Sequence, residues 1–399
     1  MTRALIAGAG IAGPVTAMAL QRAGIESTVY EAHDRTADGV GAFLTLAING
    51  LHALGHVGIG PATLGGFDTP AMSIRSCTGR RLATFASGRP GSPFVSRTLS
   101  RSDLYARLRD EAVARGIRIE YGKQLVDSHS TPVGAVWAEF ADGTSAEGNV
   151  LIGADGLHSR TRILIDPSCP EPRYTGLLNT GGYAQGITVT EPDGQFTMMF
   201  GKKAFFGYLQ RRPGDVWWFA NIPAKKPLSS TDLAGHTPDR WRAELTDRFA
   251  GDAGPATDII SATEHIVLPW NTCDLPHVDR WSSRSTVLIG DAAHAISPSS
   301  GQGASLAVED GVMLARCLRD SDIPSALRTF ERLRRGRVQK LIARAKRTSD
   351  MKIANPMTRV VRDRLVMPLV ARSARNATDR PDWIQDYRIE WDDPAHGGA

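Results

Sequence analysis

A cluster of three glycines near the start of the chain has the spacing needed to bind a dinucleotide. Gly8, Gly10 and Gly13 lie in "GAGIAG", after the apolar stretch "ALIA" and before a helical pattern. In this arrangement the first glycine permits a tight turn, the second lets a pyrophosphate approach, and the third allows close packing of helix and strand. Free N–H groups around Ile11 and Ala12, at the helix start, could bind phosphate oxygens. We therefore predict a dinucleotide site here.

An acidic residue follows the glycines at the distance that ribose binding requires. Glu31 ends the β-strand pattern "IESTVYE" and is followed by Ala32. A carboxylate at this point accepts hydrogen bonds from a ribose diol, and its charge disfavours the 2′-phosphate of NADP. This stretch leaves NAD and FAD as alternatives.

A second glycine–acid turn occurs at Gly153-Ala154-Asp155-Gly156, after another apolar strand pattern. Ser159 and Arg162 follow at helical spacing. Asp155 could equally cap the helix that begins here.

A third turn decides between the two cofactors. The stretch "GDAAHAISPSSGQGASLAVED" (290–310) lies between the strand pattern "RSTVLI" and a helix. A nicotinamide dinucleotide has no use for this further turn, whereas the ribityl hydroxyls of a flavin need an acceptor such as Asp291. The helix start near Gly301–Ala304 could stabilise the negative charge of a reduced flavin ring. The prediction is therefore FAD.

Together the three motifs resemble the single-component, FAD-dependent aromatic monooxygenases of the para-hydroxybenzoate hydroxylase type. Softer similarities are "SRSDLYARL", with Arg101 at the flavin side, "GVGAFLTLAING" near the flavin ring, with Asn49, and "YGKQL", whose last residue contacts adenine through its backbone. The FAD contacts that the resemblance implies are Gly8, Gly10, Ile11, Ala12, Gly13, Glu31, Ala32, Gly41, Arg101, Leu125, Asp155, Gly290, Asp291, Pro298, Gly301, Gln302, Gly303 and Ala304. It also links Asp155 and Arg162 to NAD(P)H and gives His294 a structural role.

The resemblance implies an enzyme in which NADPH or NADH reduces noncovalent FAD. O2 then forms a flavin C4a-hydroperoxide, which hydroxylates an aromatic or polycyclic small molecule. Catalysis is flavin-mediated, so no catalytic side chain is assigned. A flavin dehydrogenase and a flavin halogenase are the alternatives. Halogenases carry WxWxIP, whereas "WFANIP" has Ala220 in place of the second Trp.

The predicted fold class is α/β. A Rossmann-like FAD-binding domain (1–70, 98–172 and 280–345) is interleaved with an antiparallel β-sheet substrate domain (71–97 and 173–279), and a C-terminal helix and tail follow (346–399). Alternating strand patterns bounded by Gly and Pro-Gly turns support the sheet between 174 and 269. Aromatic residues on its strands, together with one proline, are candidate substrate-pocket residues: Phe206, Tyr208, Trp218 and Pro298.

The composition of the chain argues against several other classes of protein, namely nucleic-acid-binding, metal-binding and membrane proteins. The 399 residues are 42% hydrophobic and carry a net charge of +5. The basic residues are dispersed, and the densest run, "ERLRRGRVQKLIARAKR", is interpreted as a solvated helix face, so no nucleic-acid partner is expected. Glu309 and Asp310 are expected to be packing or solvated residues. Four scattered cysteines give no metal site, and no apolar run approaches the ~18 residues of a membrane span. We expect a cytoplasmic monomer or homodimer of secondary metabolism.

Overall fold

The computed structural model describes residues 2–34, 42–88, 94–131, 134–275, 277–298, 301–352 and 382–395. Gly41, predicted to lie near the flavin ring, falls outside these residues. Within the described ranges, no helix combines the length and the apolarity that crossing a bilayer would require.

One six-stranded sheet carries the N-terminal part of the fold. Its strand order is β18-β19-β12-β1-β2-β8, and all neighbouring pairs are parallel except β18 with β19. The strands are β1 (Arg3–Ala7), β2 (Glu26–Tyr30), β8 (Arg118–Glu120), β12 (Val150–Gly153), β18 (Ser282–Ser283) and β19 (Thr286–Leu288). Helices α1 (Ala12–Arg22) and α10 (Gly303–Asp320) pack closely against each other. A Cβ on Gly311 would lie 2.5 Å from Thr16 Oγ1, so this contact requires glycine.

The register of this sheet brings the three glycine–acid motifs together. Ala7 pairs with Gly153, and Gly153 pairs with Leu288, so β1, β12 and β19 end side by side. Each of these strands is followed directly by one motif. In parallel sheets, ligands bind beyond the carboxyl ends of the strands, and the topology therefore positions one site built from all three motifs.

A seven-stranded sheet forms the second layer, in the order β17-β13-β16-β15-β14-β5-β6. Its neighbours are antiparallel apart from the parallel pair β14 and β5. The strands are β5 (Ala71–Ser76), β6 (Arg81–Ala86), β13 (Arg173–Gln185), β14 (Phe196–Phe200), β15 (Phe205–Arg212), β16 (Asp215–Pro223) and β17 (Thr263–Asp274). One face, called the outer face below, packs against α7 (Pro238–Phe249) and α8 (Ala256–Ser261).

The remaining elements connect the two layers. Two three-stranded sheets contain β3 (Phe43–Leu46), β4 (Phe67–Thr69) and β7 (Ser96–Ser100), and β9 (Leu125–Ser130), β10 (Val136–Phe140) and β11 (Ser145–Gly148). The other helices are α2 (Ile48–His56), α3 (Pro61–Leu64), α4 (Arg101–Ala114), α5 (Arg160–Ile165), α6 (Ser230–Ala234), α9 (Asp291–His294) and α11 (Ile323–Lys352).

The predicted fold class is confirmed: an α/β layer with a mainly parallel sheet accompanies a separate, mainly antiparallel sheet. The exact division into domains stays a prediction, which the pairing of β5 and β6 within the seven-stranded sheet supports. The predicted C-terminal helix and tail begin at residue 346. Helix α11 is described from Ile323 to Lys352, and residues 353–381 lie outside the described part of the chain.

Candidate cofactor and substrate site

The first glycine loop is shaped to admit a ligand at one point only. Gly8 has a φ of 104°, and a Cβ on it would collide with the carbonyl of Ala154. A Cβ on Gly13 would collide with the carbonyl of Gly8. By contrast, a Cβ on Gly10 would meet nothing within 4 Å. Two glycines are therefore required by internal packing, and the third faces the space that a pyrophosphate would occupy.

The start of α1 offers unpaired main-chain donors to that space. Its N-cap residue, Ile11, makes no side-chain cap, and the first turn of the helix carries no acidic residue. Gly10 and Ile11 are partly exposed. An uncapped, electropositive helix start beside an open glycine is the arrangement that binds phosphate oxygens, so this loop fits the pyrophosphate of FAD.

Glu31 lies immediately after β2 and faces the glycine loop. Its Oε2 accepts a 2.7 Å hydrogen bond from Ala9 N, and its Oε1 accepts one of 3.1 Å from His33 N. The carboxylate is partly exposed and keeps lone pairs for a ribose diol. Ala32 beside it is exposed, and Leu125 starts β9 with its side chain in the cluster that contains Tyr30, the residue before Glu31. The predicted ribose and adenine contacts are thus neighbours in space.

Replacing Glu31 with Ala should weaken FAD binding about tenfold or more while the protein stays folded. The change removes a charged acceptor, whose hydrogen bonds contribute about 1.5–3 kcal/mol. FAD affinity of the apoprotein, measured by flavin fluorescence quenching, tests this expectation. Glu26→Ala is the matched control, because Glu26 is exposed at the opposite end of β2. Unchanged affinity together with a large drop in Tm would assign Glu31 a purely structural role.

The second motif is held by its own side chains. Asp155 Oδ1 accepts a 2.5 Å hydrogen bond from Ser159 Oγ, and Oδ2 accepts bonds of 2.9 Å from both the N and the Oγ1 of Thr161. Arg162 is 2% exposed and donates to the carbonyls of Leu157 (2.8 Å) and Ala292 (3.1 Å). Asp155 therefore orders the start of α5, and Arg162 ties the second motif to the third. Their predicted link to NAD(P)H stays a prediction, and these contacts give both residues a structural role.

The third motif presents one carboxylate to the site. Gly290 has a φ of 57° and donates its N–H to Asp310 Oδ2 at 2.8 Å, which fixes the turn. Asp291 follows at the start of α9, and no described residue donates a hydrogen bond to its exposed side chain. Protein surrounds it on the sides away from the opening, and this desolvation raises the pKa of Asp291, whereas the charges of His294 and Arg101 oppose the shift. Asp291 is thus free to accept ribityl hydroxyls, with Arg101 nearby.

The last turn of the site precedes α10. Pro298 and Gly301 are exposed, and a Cβ on Gly301 would meet nothing within 4 Å. Gln302 is the N-cap residue of α10 without a side-chain cap, and no acid lies in the first turn, where Gly303 and Ala304 are partly exposed. These main-chain donors fit the electron-accepting edge of a flavin ring.

A buried amide lies beside this turn. Asn49 donates from Nδ2 to Gln302 Oε1 at 3.1 Å and to Glu309 Oε1 at 2.7 Å. Its Oδ1 is buried without a hydrogen-bond partner in the described part of the protein. Buried polar atoms are nearly always paired, so this acceptor is a second indication that a ligand with N–H groups completes the turn.

A buried ionic network supports the site from behind, and sequence reasoning missed it. Glu309 and Asp310 were expected to be packing or solvated residues, and at 0% exposure both are packed. Arg334 lies 2.7 Å from a carboxylate oxygen of each acid, and Arg337 makes a bidentate contact with Glu309 at 2.8 and 2.9 Å. The basic run on α11 is therefore not simply a solvated face. His294 Nε2 lies 2.5 Å from Asp310 Oδ2, in keeping with the structural role expected of it.

The predicted substrate-pocket aromatics require a correction. Phe206, Tyr208 and Trp218 are 0–1% exposed and lie on the outer face of the seven-stranded sheet, in the core beneath α7 and α8. Antiparallel pairing places Tyr208 opposite Trp218, so both point away from the FAD layer. They cannot line a chamber, because helices cover them. Of the four predicted pocket residues, Pro298 alone is exposed at the site.

The opposite face of that sheet, called the inner face below, carries the aromatics that face β3. Trp217 lies 5.6 Å from Phe43 of β3 and 4.9 Å from Tyr183, between ring centroids. Phe219 lies 6.0 Å from Phe43. Phe43, Tyr183 and Phe219 are partly exposed, unlike the sealed outer face. The alternation of the strands had indicated two faces, and only the tertiary packing identifies which one the described residues leave partly exposed.

Comparison with known proteins agrees with this site. The family model described as "FAD binding domain" matches residues 1–345. A "FAD-dependent urate hydroxylase" of Klebsiella pneumoniae subsp. pneumoniae is 31% identical over 365 residues, which cover 88% of this chain and 90% of that protein. The "Aurachin C monooxygenase/isomerase" of Stigmatella aurantiaca is 30% identical over 350 residues, which cover 85% of this chain and 86% of that protein.

A solved structure gives the same result. The crystal structure of Klebsiella pneumoniae HpxO, complexed with FAD and uric acid, superposes with a TM-score of 0.83 at 28% identity, covering 95% of this chain and 96% of that one. The similarity extends through both sheets and through all three motifs. The chain therefore belongs to the FAD binding domain family and is an FAD-dependent monooxygenase of the para-hydroxybenzoate hydroxylase type.

Proposed function

We propose that this enzyme uses NADPH or NADH and O2 to hydroxylate an aromatic or polycyclic small molecule. The observation that carries the proposal is the geometry of the site. Three glycine–acid turns follow three adjoining strands, and partly exposed aromatic side chains of the inner face lie near Phe43 of β3. The relatives named as hydroxylase and monooxygenase support it. A cytoplasmic location, a monomeric or homodimeric state and a role in secondary metabolism remain predictions.

We assign each part of FAD to the residues that suit it chemically. The loop around Gly10 and the start of α1 would hold the pyrophosphate, Glu31 the ribose, Asp291 the ribityl chain, and the turn before α10 the ring. Bound FAD supplies the redox chemistry, taking two electrons from the nicotinamide and delivering them to O2.

The chain itself contributes charge stabilisation and exclusion of water. The uncapped start of α10 directs its N–H groups toward the ring site, where a partial positive charge favours the anionic form of a reduced flavin. The inner face keeps the substrate ring against an apolar wall, since Trp217 is held edge-to-face by Phe67 at 5.1 Å and by Tyr183. Such a wall suits a flat aromatic substrate and limits access of water to the reacting atoms.

The dehydrogenase and halogenase alternatives differ from this proposal in their products. Ala220, in place of the second Trp of the halogenase motif, is fully buried opposite Phe206 on the outer face. An indole at that position would have to displace the core beneath α7. This packing disfavours halogenation, and the mass of the product separates all three reactions.

An accepted substrate should accelerate NAD(P)H oxidation and gain one oxygen atom that comes from O2. The measurement is mass spectrometry of the product formed under 18O2, with H2(18)O as the control, across phenols, polycyclic phenols and indoles. A product that has lost two hydrogens without gaining oxygen would contradict hydroxylation and leave the FAD site intact. A chlorinated product formed in the presence of chloride would favour the halogenase.

A further inference from the structure

A buried lysine lies on the inner face of the seven-stranded sheet. Lys352 is the last residue of α11, and it is 8% exposed. Its Nζ donates a 2.5 Å hydrogen bond to Asn221 Oδ1 on β16, and Asn221 Nδ2 donates in turn to Asn179 Oδ1 on β13. Both amides are buried and sit opposite each other in the sheet. Helix α11 thus brings an amine to two polar residues within an aromatic surface.

The described surroundings of this amine include aromatic rings and an amide but no negatively charged group. Nζ lies 3.9 Å from the ring centroid of Phe205 and 5.7 Å from that of Phe219, which gives it cation–π contacts. Among the described residues, no carboxylate forms an ion pair with Nζ. An ammonium has three donors, and a buried charge without a counterion is costly. Among the described residues, therefore, nothing supplies the anion that would complete the surroundings of this ammonium.

The amine is connected to the FAD layer through a row of rings. Phe205 lies 5.7 Å from Phe219, and Phe219 lies 6.0 Å from Phe43 on β3. Strand β3 leads directly into α2, where Ala47 N donates to Ser305 Oγ at 3.1 Å and Asn49 bonds Gln302. A substrate that extends along this row would have one end at Lys352 and the other toward the turn where α10 begins.

We propose that Lys352, with Asn221 and Asn179, binds an anionic group of the substrate, a carboxylate or an ionised phenol, and so orients its ring toward the flavin turn. This inference rests on the proposed function and adds the chemical class of the substrate. It makes Lys352 a specificity-determining residue rather than a catalytic one.

The pH dependence of such binding has a defined sign. Burial lowers the pKa of Lys352 to about 7. Among the described residues, the groups that face it are two amides and two phenyl rings on β13, β15 and β16, and these do not titrate. The ammonium is thus present below about pH 7 and is lost above it. Affinity for an acid should fall as the pH rises through this range, and affinity for its neutral amide should stay constant.

The test is equilibrium binding by titration calorimetry on the FAD-loaded enzyme. The probes are benzoate and 2-naphthoate, each compared with its amide, in wild type and in Lys352→Met. At pH 6.5, wild type should bind at least one acid more tightly than its amide, and Lys352→Met should weaken acid binding about tenfold. Amide binding should change less than about threefold. Lys340→Met is the matched control, since Lys340 is exposed on the same helix.

Two results would contradict the proposal that Lys352 binds an anionic group of the substrate. One is a wild type that binds neither acid more tightly than its amide between pH 6 and 8, a comparison that needs no variant. The other is equal weakening of acid and amide in Lys352→Met. If the enzyme still retains FAD and couples NAD(P)H oxidation to product formation, either result rejects the role of Lys352 and leaves the proposed function standing. If the enzyme binds an acid more tightly than its amide but forms no hydroxylated product, the proposed function is rejected instead.

Discussion

Replacing Arg334 with Met should lower the free energy of unfolding by about 3–5 kcal/mol, the cost of leaving buried charges without their partner. Arg334 is 0% exposed and lies 2.7 Å from both Glu309 and Asp310, which are themselves fully buried. Methionine fills much of the volume but supplies no charge. Urea denaturation followed by circular dichroism measures the change.

The same variant should also weaken FAD binding, because the network extends to the cofactor turn. Asp310 accepts the N–H of Gly290 and contacts His294, and Glu309 accepts from Asn49, the partner of Gln302. Although burial alone would raise it, His294 and Arg334 hold the pKa of Asp310 at about 2. Because this pKa is depressed, the Asp310 carboxylate stabilises the fold at any pH above the pKa that it has in the unfolded chain. This contribution is lost progressively as the pH falls from that value to about 2. Asp310 is therefore ionised at ordinary pH.

Arg328→Met is the matched control for this prediction. Arg328 is exposed on the same helix and donates to Ser325 Oγ at 3.0 Å, so its loss should cost less than about 0.5 kcal/mol. A loss of stability in Arg334→Met no larger than in Arg328→Met would show that the ion pairs are not what holds α11 against α10.

The difference between these two arginines marks the limit of what the sequence can predict. Both arginines lie on helix α11, six residues apart, and nothing in the sequence around them marks Arg334 as buried. What separates them is the position of α10, whose acids lie 24 and 25 residues before Arg334. A charged residue is expected at the surface unless a partner is known, and that partner is fixed only by helix packing.

The cofactor motifs, in contrast, could be predicted because their chemistry is local. Each glycine–acid turn follows a short apolar strand, and the turn conformation depends on residues adjacent in the chain. Gly8 and Gly290 adopt positive φ values as a consequence. Parallel strands then align the turns without further information.

The substrate face could not be predicted in the same way. Phe205 and Phe206 are consecutive, so the strand period assigns them to opposite faces and says nothing about which face the helices cover. Phe206 packs against Phe249 of α7, and Phe205 contacts Lys352, 147 residues away. Both assignments depend on contacts distant in sequence.

Replacing Asp291 with Ala should weaken FAD binding on the order of tenfold to a hundredfold, while the fold is kept. The carboxylate is exposed in the site and receives no hydrogen bond from the described residues, so its removal leaves no internal donor unpaired. The variant loses the charge-assisted hydrogen bonds that the ribityl hydroxyls of FAD would donate to Asp291, which contribute about 1.5–3 kcal/mol of binding free energy. Titration of the apoprotein with FAD gives the affinity, and thermal unfolding without FAD should match wild type.

Two further variants separate charge from shape at this position. Asp291→Asn keeps an acceptor without the charge and should bind FAD with an affinity between those of wild type and Asp291→Ala. Asp279→Ala, at an exposed carboxylate away from the motif, should bind like wild type. Because desolvation raises the pKa of Asp291, wild-type affinity should begin to fall at a higher pH than for an ordinary carboxyl group as the solution is acidified. Affinity should then approach that of Asp291→Asn, whose own affinity should not show this decline. Wild-type affinity in a folded Asp291→Ala protein would place the ribityl chain elsewhere and contradict the assignment of this turn to the flavin.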